Sequence, residues 1–342
     1  MWVRSLVTCG VFAFAALAGA QQFGKMSAVK ENKIGLVVHG GAGTLERNRL
    51  TPQGEREYRA GIENALRAGW EILQHGGSAL DATEAAVRVF EDDPLFNAGK
   101  GSVFNSDGVN EMDAAIMDGK TLRAGTVANL QHVKNPISLA RQVMEKSPHV
   151  MMAGEGAEAF AKEHGIELVD AKYFFTQDRW DALQKVKAAE KAGGNGDKKF
   201  FLSDQDLHGT VGAVALDRNG NLAAATSTGG KTGKLPGRIG DTPIIGAGTY
   251  ANNATCAVSG TGDGEYFIMA TAGHDVSALI EYGHKTLEQA GLAVINKIGK
   301  LGGTGGLIAI DKSGKITLPF NTAGMYRGYV DPNGKFVTEI YR

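Results

Sequence analysis

Hydrophobic patterning divides the chain into blocks. Ile34-Gly35-Leu36-Val37-Val38 is a short continuous apolar run, the signature of a strand buried on both faces. It leads into His39-Gly40-Gly41-Ala42-Gly43. The period then becomes helical, with Tyr58, Ile62, Ala65, Leu66, Gly69, Ile72 and Leu73 on one face and Gly76-Gly77 as the stop. Ser78 is placed to N-cap a second helix, with Asp81 in its first turn beside the positive helix end. Ala82, Ala85, Ala86 and Val89 carry that helix, which must end before Pro94. Residues 95–130 read as short strands with glycine turns. Pro136 opens a further helix through Leu139, Val143 and Met144, and a helical pattern continues over Met151–Glu163. Residues 171–209 mix charge and glycine, as in Gly193-Gly194-Asn195-Gly196-Asp197-Lys198-Lys199. No core pattern survives there, which predicts a flexible linker.

The second half opens with two apolar runs, Thr210–Asp217 and Asn221–Ser227, separated by Arg218-Asn219-Gly220. A three-residue loop ending in glycine predicts a hairpin with a type I turn and a G1 bulge. Helices follow near 275–300, then strands at Leu307–Ile310 and Lys315–Leu318. Strands and helices come in blocks without strict alternation, and there is no internal repeat. That order predicts an α+β fold in place of a doubly wound parallel sheet.

The hairpin has a chemical consequence. With Arg218-Asn219-Gly220 as the loop, Asp217 faces Asn221, Leu216 faces Leu222, and Thr210 falls opposite Thr228. Directly opposed residues hold their Cβ atoms about 4.5–5.5 Å apart, and a slip of one residue would separate the two hydroxyls onto opposite faces. Spacing alone allows an ordinary cross-strand threonine pair or a functional one. Position favours the second, because Thr210 follows the linker and Gly209. A threonine hydroxyl is a weak nucleophile without a base, but an N-terminal threonine supplies its own α-amine, of unperturbed pKa about 7.7–8.0. Cleavage before Thr210 would create nucleophile and base in one residue.

Composition narrows the field. The 36 Lys+Arg against 37 Asp+Glu give no electrostatic footprint for nucleic acid or an acidic membrane, so substrate charge must be read locally. The 48 glycines are grouped at the ends of apolar runs, as expected of tight turns and close backbone approach. Residues 1–20 read as a signal peptide: Arg4 is the positive n-region, Leu6–Leu17 the apolar h-region and Ala18-Gly19-Ala20 the cleavage site. The expected mature chain starts near Gln21 and is periplasmic or secreted, with no membrane association after signal removal. Loss of Cys9 would leave Cys256 alone in an apolar run, where it reads as a buried small hydrophobe. Ala225–Thr232 loosely fits a phosphate loop, yet Gly233, Pro236, Gly237 and Gly240 follow, so no helix can open there. The histidines show no metal-ligand spacing.

His208-Gly209-Thr210-Val211-Gly212-Ala213-Val214-Ala215-Leu216-Asp217 resembles the self-cleavage segment of the plant-type asparaginase/isoaspartyl peptidase family. Supporting stretches are Thr226–Gly230, Leu235–Asp241, Thr261–Gly264, His39–Gly43 and Pro94–Gly99. The resemblance covers about residues 34–342. It implies a four-layer αββα sandwich of the N-terminal nucleophile hydrolase type, an α subunit over 21–209, a β subunit over 210–342, and a dimer of αβ heterodimers. It implies cleavage between Gly209 and Thr210, Thr210 as nucleophile, and Thr228 as the partner orienting its hydroxyl. Thr261 and Gly262 would serve as oxyanion-hole donors with Asn97 nearby. Arg238 would clamp the substrate α-carboxylate, and Asp241, with the Gly264 backbone, would meet the substrate α-ammonium. The implied substrates are small: asparagine and β-aspartyl dipeptides or peptides. No organic cofactor is implied, but a structural sodium ion on backbone carbonyls of about Phe90–Lys100 is. Two alternatives stand beside this: a glycosylasparaginase acting on glycan-linked asparagine, and an uncleaved inactive precursor acting as a binding protein.

Overall fold

The structure, a computed structural model, describes residues 33–43, 50–192 and 209–342. The expected signal peptide and the 193–208 part of the expected linker lie outside the described residues. The strands are β1 (Gly35–Gly43), β2 (Met112–Asp118), β3 (Ala124–Leu130), β4 (Met151–Ala153), β5 (Val211–Leu216), β6 (Leu222–Thr228), β7 (Thr249–Ala251), β8 (Cys256–Gly262), β9 (Gly305–Asp311), β10 (Ile316–Thr317), β11 (Gly324–Val330) and β12 (Phe336–Tyr341). The helices are α1 (Pro52–Gln74), α2 (Ala79–Asp92), α3 (Pro136–Lys146), α4 (Gly154–Glu163), α5 (Gln177–Ala192), α6 (Gly264–Ala270), α7 (Ala272–Glu281) and α8 (Leu287–Leu301).

Eight strands form one sheet in the order β12-β11-β1-β5-β6-β2-β3-β4, antiparallel but for the β3–β4 pair, and four form a second in the order β10-β9-β8-β7. Side-chain alternation sorts the core into three apolar layers. Leu36 and Val38 of β1 and Ala213 and Ala215 of β5 face outward onto Ile62 and Leu66 of α1, Phe90 of α2 and Val143 of α3. Their neighbours Val37 and Val214 point the other way, meeting Ile308 and Ile310 of the second sheet. Val258, Leu307 and Ala309 leave the far face of that sheet to pack on Val276 of α7 and Val294 and Ile298 of α8. Helix, sheet, sheet and helix are therefore stacked, as the expected αββα sandwich requires.

Local signals place the elements. The side chain of Thr51 accepts from Gly54 N at 3.0 Å with Pro52 in the first turn of α1, and Ser78 accepts from Asp81 N at 3.1 Å at the start of α2. The β5–β6 hairpin has the expected register, from Leu216 opposite Leu222 to Val211 opposite Ser227. Its turn is closed by Gly220 N donating to Asp217 O at 3.0 Å. Cys256 is fully buried, and burial pushes its thiol up to about 12.

Three expectations need correction. Residues 171–192 are not a flexible linker: a 3-10 turn spans Ala171–Phe174 and α5 follows. The segment lacked a clear core signal because its buried apolar anchors, Phe174, Ala182 and Leu183, are few and share that face with a charged residue. Arg179, 6% exposed, donates from Nε to Gly101 O at 2.9 Å and from Nη2 to Leu95 O at 3.2 Å. The Trp180 ring packs edge-on to Phe104, centroids 5.4 Å apart. Second, the start of Met151–Glu163 is strand β4, which extends the sheet edge beside β3. Third, β1 continues through Gly43, its register with β11 shifting between His39 and Gly41.

Asp217 is the joint of the hairpin. Its Oδ1 accepts from Asn219 N (2.9 Å) and Asn221 N (3.0 Å), and its Oδ2 from Ala79 N (3.3 Å) at the start of α2. Asp217→Ala strands the buried Ala79 N and frees the turn amides of Asn219 and Asn221, so it should lower stability by about 1–3 kcal/mol, read as a lower denaturant midpoint. An unchanged midpoint would show that the turn does not depend on this carboxylate.

Candidate active site

Thr210 is the residue before β5 and Thr228 is the last of β6. Both are buried, and the Thr210 hydroxyl donates to Thr228 Oγ1 at 3.1 Å. Gly230 N donates to the same oxygen at 3.0 Å. The continuous chain at Gly209 is held between two strands. A Cβ at Gly41 would lie 2.6–2.9 Å from the N, Cα and O of Gly209, and a Cβ at Gly209 would lie 2.5 Å from Thr261 Oγ1. Only glycine on both sides allows this approach, so the bond before Thr210 passes directly beneath the end of β1 and against β8.

A cleft opens at this point. Its lining includes Gly209, Thr210, Thr228, Lys231, Arg238, Asp241, Gly262 and Asp263. Of the residues expected at the site, Thr261 sits behind Gly209, where its Oγ1 accepts from Ala42 N at 3.3 Å. Asn97 lies deeper. Its Nδ2 donates to Gly230 O (2.7 Å), its Oδ1 accepts from Val103 N (3.1 Å), and its carbonyl accepts from Gly229 N (3.1 Å). Asn97 thus shapes the turn after Thr228 and is not among the residues lining the cleft.

Arg238 leaves a turn in which its N donates to Leu235 O at 3.0 Å, with Pro236 and a positive-φ Gly237 between them, the pattern of a type II turn. The guanidinium does not pair with Asp241. Glu265 holds it, through Nε at 2.9 Å and Nη2 at 2.8 Å. Lys231 joins the same group, 2.9 Å from Asp263 and 3.1 Å from Glu265. Burial alone would raise Glu265, but Arg238 and Lys231 beside it outweigh that and pull it down to about 2. Asp241 is fully buried, and that desolvation pushes it up to about 6 against the pull of its own backbone amide and Arg238. Its surroundings are glycine: a Cβ at Gly264 would lie 2.6 Å from Asp241 Oδ1 and 3.0 Å from Arg238 Nη2, and one at Gly248 2.8 Å from Asp241 Oδ2. The cleft therefore offers a cation and a carboxylate on its lining, with glycines packed against both where any side chain would clash.

Beneath Thr210 lies a buried polar ladder between the sheets. His39 Nε2 and Ser259 Oγ are 2.8 Å apart, Ser259 Oγ and Thr226 Oγ1 2.8 Å, and Thr249 donates to Thr226 Oγ1 at 2.7 Å. Burial lowers His39 to about 3, so its ring is neutral near pH 7. Sequence reasoning missed this ladder, Glu265 and Lys231. Glu265 had a signal, following Gly264 directly in the quoted Thr261–Gly264 stretch. The ladder had none, since His39 and Ser259 are 220 residues apart.

Among the described residues, no group of three or more His, Cys, Asp or Glu is arranged to hold a metal ion. Backbone oxygens are a different matter. Around the end of α2, a Cβ at Gly99 would overlap Glu91 O, and one at Gly101 would overlap Phe96 O and lie 2.6 Å from Pro94 O. Carbonyls packed against glycine are the donor type a hard cation takes. The ammonium of Lys100 lies over the Tyr173 ring, 5.5 Å from its centroid.

The chain can now be compared with known proteins. It is 50% identical over 313 residues to an isoaspartyl peptidase of Escherichia coli K12, covering 91% of this chain and 97% of that protein. It is 46% identical over 306 residues to an isoaspartyl peptidase/L-asparaginase of Mus musculus (89% and 90%). A probable isoaspartyl peptidase/L-asparaginase 2 of Arabidopsis thaliana is 42% identical over 324 residues (90% and 98%). The family model described as asparaginase matches residues 32–340, and the chain belongs to that family of N-terminal nucleophile hydrolases.

Proposed function

We propose that this protein cuts itself between Gly209 and Thr210 and then hydrolyses L-asparagine and β-aspartyl peptides with Thr210 as nucleophile. One observation carries the reading: the Thr210 hydroxyl, at the first residue after a glycine pinned between two strands, rests 3.1 Å from Thr228 Oγ1 at the floor of the cleft. Once freed, the α-amine of Thr210 takes the hydroxyl proton as Oγ attacks the substrate amide carbon. Thr228 fixes the hydroxyl. Thr261 and Gly262 face the developing oxyanion, where such donors typically contribute about 2.7–4 kcal/mol each. The protonated amine returns its proton to the leaving ammonia or amino acid, and water releases aspartate from the ester on Thr210.

Substrate recognition follows from the paired charges. Glu265 occupies the Nε edge of Arg238, leaving its other edge for the substrate α-carboxylate. Asp241 meets the α-ammonium in the space left by Gly264 and Gly248. The loop carbonyls of Glu91, Pro94 and Phe96 would hold a structural sodium ion, whose charge would fix the turn bearing Asn97. Export by the N-terminal segment and assembly as a dimer of αβ heterodimers complete the proposal, the first supported by Arg4, Leu6–Leu17 and Ala18-Gly19-Ala20, the second by the family resemblance.

Three outcomes test it. Thr210→Ala should give a folded single chain with neither cleavage nor ammonia release, while Thr210→Ser slows both by freeing the side-chain rotamer; hydrolysis by uncut Thr210→Ala contradicts the nucleophile assignment. Arg238→Ala should still cut itself to completion yet lose about 1.5–3 kcal/mol of transition-state binding, roughly one to two decades in kcat/KM, with Arg238→Lys giving little rescue. Normal asparagine turnover in either would reassign the clamp. Asp241 must be ionised to meet an ammonium, and its carboxyl sits at about 6. The Thr210 amine, which must be unprotonated to act as base, gives kcat/KM a first acid limb near its own pKa of about 8; protonation of Asp241 should steepen that limb below about 6, and Asp241→Asn should remove the steepening along with most binding. A limb of single-proton slope down to the ordinary carboxylate range would remove Asp241 from the ammonium site.

A further inference from the structure

We propose that Asp113 accepts, by way of Thr228, the proton that the Thr210 hydroxyl must lose when the chain cuts itself. The inference rests on the self-cleavage reading above and addresses a gap in it. After cleavage Thr210 carries a free amine as base. Before cleavage that nitrogen is the amide of the Gly209–Thr210 bond and has no basic lone pair, so the first proton transfer needs another acceptor.

Sheet register supplies one. Thr228 is paired with Asp113 on β2 in one direction, and the β5–β6 register carries Thr210 opposite it in the other. Residues directly opposed in antiparallel strands project to the same face. That face is the one between the sheets, because Thr226, two residues before Thr228, bonds to Ser259 of the second sheet. Thr210, Thr228 and Asp113 thus form one row across three adjacent strands.

Valence allows the row to be linked. Thr228 Oγ1 accepts from the Thr210 hydroxyl and from Gly230 N, which uses both lone pairs and leaves its own hydrogen to point elsewhere. Asp113 is fully buried; its Oδ1 accepts from Asn129 N at 2.9 Å, while its Oδ2 has no hydrogen-bond partner among the described residues, Thr228 included, so the relay needs a small approach of these two side chains. An unused donor and an unused buried acceptor therefore belong to facing residues. Desolvation raises Asp113 above its ordinary carboxylate value, with Glu111 acting the same way and Lys234, Asn129 N and Arg238 opposing. Such a group is a better base than a solvated aspartate. Lys234 is buried too, donates to Glu111 O at 2.8 Å, and lies 3.1 Å from where a Cβ of Gly230 would sit. Its charge supports the carboxylate form of Asp113 from beneath the same turn.

The step balances. Thr210 Oγ bonds to the Gly209 carbonyl carbon as its proton moves to Thr228 Oγ and the Thr228 proton moves to Asp113 Oδ2. The carbonyl π pair becomes an oxyanion. As the C–N bond breaks, the electron pair stays on the Thr210 nitrogen, which is protonated by return of the same proton, leaving an ester and a free amine. Water hydrolyses the ester to the Gly209 carboxylate and regenerates the Thr210 hydroxyl. Asp113 ends as it began, and is a positioning and relay residue acting through Thr228.

The test follows cleavage of freshly synthesised full-length chain on denaturing gels between pH 5 and 9 (roughly the span over which a raised carboxylate and an α-amine titrate). Asp113→Asn keeps the shape and removes the base. It should slow cleavage on the order of a hundredfold and flatten the acid limb, with Asp113→Glu restoring part of both. In the fraction that does process, asparagine turnover should fall far less, because the free amine is then the base. Lys234→Met keeps Asp113 but removes its nearby cation, so the acid limb should move to higher pH. Asp113→Asn cutting at the wild-type rate with the wild-type profile overturns the relay, as does an equal loss of cleavage and turnover. Should Asp113→Asn fail to fold by circular dichroism, an unshifted limb in Lys234→Met overturns it. A wild-type chain that stays whole would instead sink the self-cleavage reading.

Discussion

The register of one hairpin is the constraint on which the rest depends. β5 and β6 lie side by side in the middle of the eight-stranded sheet, and only their in-register pairing brings Thr210 to 3.1 Å from Thr228. A slip of one residue would turn one hydroxyl to the helix-covered face, where Ser227 already donates to the buried Glu91 at 2.7 Å. The flanking strands then acquire their roles by adjacency. β1 lays Gly41 against Gly209, and β2 sets Asp113 opposite Thr228. Four neighbouring strands thus bring Gly209, Thr210, Thr228 and the buried Asp113 to one end of the sheet.

Charge at the cleft is organised differently, by loops and by the second sheet. Arg238, Lys231, Asp263 and Glu265 offset one another at its rim, so the Arg238 guanidinium is held in one orientation, as the proposed clamp on a carboxylate requires. Pre-orientation lowers the entropic cost of forming a bidentate pair. Asp241, by contrast, is buried with no ion-pair partner among the described residues, and desolvation raises it to about 6, the cost of a buried carboxylate without a neighbouring cation to pair it. The two carboxylates at the cleft are shifted in opposite senses, Glu265 down by Arg238 and Lys231 against its burial and Asp241 up by burial.

Much of this was legible in the amino-acid order. The Arg218-Asn219-Gly220 loop fixed the hairpin register, and hence the Thr210–Thr228 pair, because a turn of defined length leaves no freedom in an antiparallel pair. Capping by Ser78 and the limit set by Pro94 located α2. What stayed hidden has a common cause: contacts between distant residues that follow no periodicity. α5 is anchored by Arg179 on two backbone carbonyls, by Trp180 on Phe104 and, among the described residues, by only two buried apolar side chains, Ala182 and Leu183, so its sequence looks like a linker. β11 and β12 pair beside β1 at the opposite end of the chain, and nothing in the pattern points to that neighbour. Glu265 and the His39–Ser259 contact are side-chain choices that only the assembled sheets reveal. Asn97, placed near the oxyanion by resemblance, has its amide on Gly230 O and Val103 N, partners that its sequence neighbourhood does not announce.

The central claim is that one hydroxyl, on Thr210, performs both the self-cleavage and the hydrolysis. Peptide mapping by mass spectrometry, on protein acid-quenched during turnover of asparagine, addresses both at once. The account predicts an N-terminal peptide beginning at Thr210, a fraction of it heavier by one aspartyl group esterified to the Thr210 hydroxyl. An active protein whose Gly209–Thr210 bond is intact, or an aspartyl group found on any other residue, would contradict it.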